Sequence, residues 1–133
     1  MGMSSEPLAV ERLGERIRAV LDSADLAGFA ELLAPDVRWG APDSHDADCR
    51  SREEVVAWWS RGRQAGARAR VTEIVPGAGA FLVGLAVTGT REAEQNGGTA
   101  QRWQVLRVES GQIVDIRGFD DRHQAALHAA VSD

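Results

Sequence analysis

The sequence predicts an α+β domain, and three observations carry that prediction. Apolar residues recur at helical spacing through the first half of the chain, the period switches to two from residue 67 onward, and an Ala-rich segment closes the sequence. With no internal repeat and no low-complexity linker, residues 1–133 read as a single domain, long enough for one core but not for two.

Val10, Leu13, Ile17, Val20 and Leu21 form the stripe of a first helix, opened by Ser5 and the early Pro7. Asp25 is placed to cap a second helix carrying Leu26, Phe29, Ala30 and Leu33. Pro35 stops that helix, because the residue before a proline is driven out of the helical region. Val37, Trp39 and Ala41 alternate with Asp36, Arg38 and Gly40, which predicts a short strand ending at Pro42–Asp43. After the polar stretch 43–50, Ser51-Arg52-Glu53-Glu54 has the form of a capping box. It opens a third helix with Val55, Trp58, Trp59 and Gly62 at helical spacing.

Residues 67–75, 80–89, 102–108 and 112–119 then read as four strands of an antiparallel meander, separated by Pro76–Gly79, a polar excursion at 90–101 and Glu109–Gly111. A helix over 121–131 ends the chain. Taken as a three-residue hairpin loop with a bulge, Glu109-Ser110-Gly111 sets Val108 opposite Gln112, Leu106 opposite Val114, Gln104 opposite Ile116 and Arg102 opposite Gly118. One face then holds Gln104, Leu106, Val108, Val114, Ile116, Gly118 and, by alternation, Asp120. The other holds Trp103, Val105, Arg107, Ile113, Asp115, Arg117 and Phe119. The second face is too apolar to be left in water, so it is the expected surface of a homodimer, with Arg107, Asp115 and Arg117 pairing across it.

Composition removes several classes of function. A formal net charge of −5 does not suit a nucleic-acid binder, which needs a basic surface for phosphate. The start of the chain lacks the basic-then-apolar form of a signal peptide and no stretch has membrane-spanning length, so a cytoplasmic location is expected, with neither nucleic acid nor membrane as partner. A single cysteine, Cys49, excludes an intrachain disulfide and any CxxC motif. All 15 basic residues are Arg, so no lysine can form a Schiff base, and with no tyrosine there is no phenol for acid chemistry. No phosphate-cradling glycine motif occurs, and His45, Asp46, Asp48 and Cys49 lack a second cluster at metal-ligand spacing. The expectation is a protein with no metal and no organic cofactor.

The chemistry-bearing residues that remain are few. An apolar strand runs out into Asp120–Asp121, of which Asp120 has the inward parity and Asp121 suits the cap of the last helix. A carboxylate desolvated beside indoles has its pKa raised, which would fit Asp120 for general acid–base work. Trp58 and Trp59 point about 100° apart on their helix, so they do not share one flat patch. His123 and His128, in the last helix, are expected to face solvent or a dimer partner.

The segments "LDSADLAGFAELLAPDVRW", "SREEVVAWW" and "ESGQIVDIRGFDD" resemble the nuclear transport factor 2-like superfamily, in particular its SnoaL-like bacterial members. The resemblance covers nearly the whole chain in order and spacing. It implies a cone, a strongly curved antiparallel sheet wrapped around three N-terminal helices with a short C-terminal helix, enclosing a ligand cavity and assembling as homodimers. It also implies that Phe29, Trp39, Trp58 or Trp59, Gln104, Ile116, Gly118 and Asp120 face that cavity. The family's catalytic groups carry over poorly. The steroid-isomerase tyrosine falls near Ile17, its base near Ala41 and its protonated acid near Gln104, while epoxide hydrolases carry an aspartate where Gly118 stands. Three functions therefore stay open: a binding protein for an apolar or polycyclic small molecule, a cofactor-free isomerase, cyclase or hydrolase, and a dimeric interaction module with an incidental cavity. In the enzyme, Asp120 would move the proton while Gln104 and Arg102 hold a polarised oxygen.

Overall fold

A computed structural model describes residues 5–41 and 49–131. Helices α1 (Ser5–Ser23) and α2 (Leu26–Leu32) lead into strand β1 (Leu33–Gly40), and α3 (Arg52–Gln64) follows. Strands β2 (Arg68–Pro76) and β3 (Ala80–Thr88), a short helix α4 (Arg91–Gln95), β4 (Ala100–Glu109), β5 (Gln112–Phe119) and α5 (Arg122–Ala129) complete the chain. Among the described residues no helix is long and apolar enough to cross a membrane.

The helix starts follow capping chemistry. Asp25 accepts from the Gly28 N–H at 3.0 Å, and Ser51 Oγ accepts from the Glu54 N–H at 3.2 Å. Glu54 reaches back to the Arg50 N–H at 2.7 Å, one residue before the cap. The polar excursion after β3 contains a helix that the hydrophobic pattern does not signal. Thr90 Oγ1 caps it through the Ala93 N–H at 3.1 Å, and the one side chain it buries is Ala93.

The five strands form one sheet in the order β1-β5-β4-β3-β2, antiparallel except where β1 runs parallel to β5. The meander is thus extended by a parallel edge strand, and Pro35 is tolerated there because an edge strand has a free side. Bulges bend the sheet at Thr72 in β2 and at Val114 in β5. Next to the first bulge, Asp22 of α1 accepts from the Val71 N–H at 2.7 Å, tying helix to strand.

The β4–β5 hairpin corrects the predicted register. Its loop is two residues, Ser110 and Gly111, with φ of 51° and 76°, as a type I′ turn requires. The shorter loop shifts pairing by one residue and the bulge at Val114 shifts it by one more. Gln104 therefore faces Gly118 and Leu106 faces Ile116. A two-residue shift preserves faces, so Gln104, Leu106, Ile116 and Gly118 keep the predicted face although every predicted pair is wrong. Between turn and bulge the shift is only one, which turns Ile113 inward. It is fully buried in the inner core beside Leu106, Ile116 and Val108.

Hydrophobic cores lie on both sides of the sheet. The inner one joins Ile17, Phe29, Leu32, Val55, Phe81 and Val83 with β5. The outer one joins Leu82, Val105 and Phe119 with Ala125, Ala126 and Ala129 of α5. Part of the face assigned from sequence to a dimer interface is covered within the chain by α5, with Val105 1% exposed and Phe119 8%, while Arg107 on the same face is exposed. A clamp holds α5 there, since Arg122 donates Nε and Nη2 to the two carboxylate oxygens of Glu73 on β2, both at 2.9 Å. Trp103 Nε1 adds a 3.4 Å bond to Glu73, and the Arg122 guanidinium holds the Glu73 carboxyl below its usual range against the opposing effect of burial. Arg117 and Asp115, expected to pair across a dimer, pair with each other at 2.9 and 3.0 Å. That bond with Asp115 raises the Arg117 pKa, and Arg117 Nη1 also donates to the Ala41 carbonyl at 2.8 Å.

Candidate functional site

Two adjoining cavities open against the sheet: one of about 380 Å³ between its inner face and the helices, and one of about 730 Å³ whose wall also takes in Trp103, Phe119 and Gln124 from the side of α5. They share the walls made by Trp39, Trp58, Leu85, Val87, Arg102 and Gln104. Trp39 lies at the end of β1, held by paired backbone bonds to Cys49 at 3.0 Å each. Its ring stands 5.4 Å from that of Trp58 on α3, which is 50% exposed. The next residue, Trp59, turns to the other side of α3 and meets Phe29 edge to face at 4.5 Å. The two indoles thus occupy different parts of the wall, as their angular separation on a helix demands.

The sequence candidates fall into three groups. Phe29, Trp39, Trp58, Trp59, Arg102, Gln104 and Gly118 line one or both cavities. Ile116 lies fully buried in the core and lines neither of these two. Asp120 is at the rim of the larger cavity and is exposed, because β5 ends at Phe119 and the next side chain stands beyond the sheet. The premise of desolvation beside apolar walls is therefore missing for Asp120. Asp121 caps α5, accepting from the His123 N–H at 3.1 Å. His123 and His128 are exposed, the latter with its ring 5.3 Å from Phe119. His45, Asp46 and Asp48 lie outside the described residues, among which no group of three His, Cys, Asp or Glu could hold a metal ion. Cys49 is buried, with its Sγ 3.7 Å from the Glu54 carbonyl.

Leu85 and Val87 on β3 were not legible as cavity wall. The run Ala80–Ala86 is buried on both faces, so no alternation marks the inward side. Arg63, Arg68 and Glu92 line the smaller cavity, and no motif or periodicity in the sequence singles them out.

Chemically the walls offer apolar surface and few polar groups. Among the described residues no polar or charged residue is fully buried. Gln104 is half-buried and can donate and accept hydrogen bonds without transferring a proton. Arg102 meets Glu92 of α4 at 3.5 Å, with side chains 36% and 50% exposed. The position near which the resemblance puts an isomerase tyrosine is Ile17, fully buried in the core, and Ala41 and Gly118 line the larger cavity without a side-chain acid.

A curved sheet closed by helices around an apolar hollow defines a class of small cavity-bearing α+β domains. Within it, the SnoaL-like domain model matches residues 15–116, and the chain belongs to that family, part of the nuclear transport factor 2-like superfamily. Among solved structures the chain is similar to a candidate polyketide cyclase from Sinorhizobium meliloti, at 16% identity and a TM-score of 0.65 over 81% of this chain and 94% of that one. It is likewise similar to a candidate ketosteroid isomerase from Kribbella flavida, at 19% identity and a TM-score of 0.66 over 84% and 76%. A protein from a soil-derived mobile gene cassette gives 21% and 0.66 over 84% and 90%. At these identities the likeness shows the fold alone. No curated protein sequence matches this chain.

Proposed function

We propose that this protein binds an apolar, polycyclic small molecule in the paired cavities and does not transform it by acid–base chemistry of its own. The observation that carries this reading is the composition of the shared wall: two indoles, Leu85 and Val87, with Gln104 and Arg102 as the polar groups. An apolar pocket with a few convergent polar groups is the usual form of a small-molecule site. Catalysis would need a proton-transferring group held against the ligand, and the carboxylates on the cavity walls, Asp120 of the larger and Glu92 of the smaller, are both exposed. A homodimer would use surface outside the patch of Val105 and Phe119 that α5 covers.

The test is calorimetric titration with 2-naphthamide, a neutral fused-ring probe, with tryptophan emission followed in parallel. Saturable one-to-one binding is expected. Trp39→Ala should weaken it roughly two- to twelvefold, the scale of one aromatic contact of about 0.5–1.5 kcal/mol. Absence of saturable binding, or undiminished affinity in the Trp39→Ala/Trp58→Ala double variant, would overturn the reading.

A further inference from the structure

The cavity walls are asymmetric in charge. In a protein of net charge −5, the smaller cavity is lined by three guanidinium residues, Arg63 at the end of α3, Arg68 opening β2 and Arg102 on β4, against a single carboxylate residue, Glu92. Arg68 commits its Nη1 to the main-chain carbonyls of Arg63 and Ala67 at 3.0 and 2.8 Å. Arg102 is held much more loosely. Its contact with Glu92 is 3.5 Å, where a charge-assisted bond would close to about 2.7–2.9 Å. On its other side, a Cβ built at Gly118 would stand 3.9 Å from Arg102 Nη2 and meet nothing else within 4 Å. The missing side chain at position 118 therefore leaves the guanidinium facing open space on the side of the larger cavity.

Resting on the binding reading above, we propose that the ligand is an organic anion: a flat fused-ring body bearing one carboxylate or comparably acidic oxygen. The rings lie against Trp39 and Trp58, and the acidic oxygens take the guanidinium of Arg102 in place of Glu92. Two features favour this over a neutral ligand. A planar fork suits a carboxylate bidentately, and an apolar wall strengthens the attraction by lowering the local dielectric. Arg63 and Arg68 add positive field on the same side, drawing an anion past an otherwise acidic surface.

The experiment compares 2-naphthoate with 2-naphthamide at pH 7, probes of nearly equal shape that differ in charge. Naphthoate is expected to bind at least tenfold more tightly in low salt, with the margin shrinking as salt is added. Arg102→Gln should erase the margin by weakening naphthoate at least tenfold more than naphthamide, and Glu92→Gln should tighten naphthoate binding by more than it changes that of naphthamide. Equal affinity for the two probes overturns the proposal but leaves the binding reading intact, whereas binding of neither overturns both. If Arg102→Gln fails to fold, Glu92→Gln decides alone: unchanged or weakened naphthoate binding refutes displacement of Glu92 by the ligand.

Discussion

Two adjacent carboxylates at the end of β5 have different surroundings because one residue of chain separates the strand end from the helix start. Asp121 has extended backbone and accepts from the His123 N–H, so it satisfies a helix donor that would otherwise lack a partner. Asp121→Ala should cost about 1 kcal/mol in urea unfolding, and Asp121→Ser should recover most of it. A loss of equal size in both variants would argue that the carboxylate matters for another reason. Asp120 is exposed at the cavity rim, and Asp120→Asn should leave 2-naphthamide affinity unchanged. A pronounced drop would place Asp120 in contact with the ligand and revive a catalytic role for it. The cap was legible because an aspartate directly before an Ala-rich helix has one obvious task. The setting of Asp120 was not, because alternation gives the parity of a side chain and not where the sheet stops covering it.

Among the elements, α5 and the β4–β5 hairpin show how local signals become tertiary ones. The hairpin's Ser110-Gly111 loop and the bulge at Val114 together move the register by two, so the inward faces were readable while the pairs were not. Nothing in the sequence marks Val114 as the extra residue, since valine fits a regular strand equally well. The burial of the outer face by α5 was likewise hidden. Ala125, Ala126 and Ala129 are small enough to let the helix lie close on Val105 and Phe119, but alanines give only a faint apolar stripe. The Glu73–Arg122 clamp makes this docking sensitive to pH. The folded-state pKa of Glu73 lies below its ordinary 4.5. The pair's contribution is therefore complete above that value and is lost as pH falls through the lower folded-state pKa. The clamp is partly exposed, which limits it to about 0.5–1 kcal/mol. Glu73→Gln should accordingly unfold at lower urea than the parent at pH 7, and the gap should close toward pH 3. A gap that persists unchanged at pH 3 would mean that packing around Glu73, and not its charge, holds the helix.

For the whole molecule, one sheet separates two cores with unequal shares in the site: the inner one contributes to the walls of both cavities, and the outer one reaches only the larger, through Phe119 and the adjoining Trp103. Strand β3 contributes to both, with Leu82 fully buried in the outer core and Leu85, 7% exposed, on the wall of both cavities. The general plan was legible from the change of period, the capping signals and the resemblance. The division of labour within β3 was not, because a strand buried on both faces carries no alternation to say which side holds a void. That division makes a paired prediction. Leu82→Ala removes methyl groups from a filled interior and should cost about 2–5 kcal/mol. Its side chain lines neither cavity, so 2-naphthamide affinity, measured where the variant is still folded, should not change. Leu85 already borders empty space and makes fewer contacts to lose. Leu85→Ala should sit at the low end of that stability range and yet alter naphthamide affinity, because it enlarges the hollow that the ring must fill. Urea unfolding and calorimetry on the two variants read both quantities. If Leu82→Ala shifts affinity as much as Leu85→Ala does, the outer core acts on the site through more than the wall that Phe119 supplies.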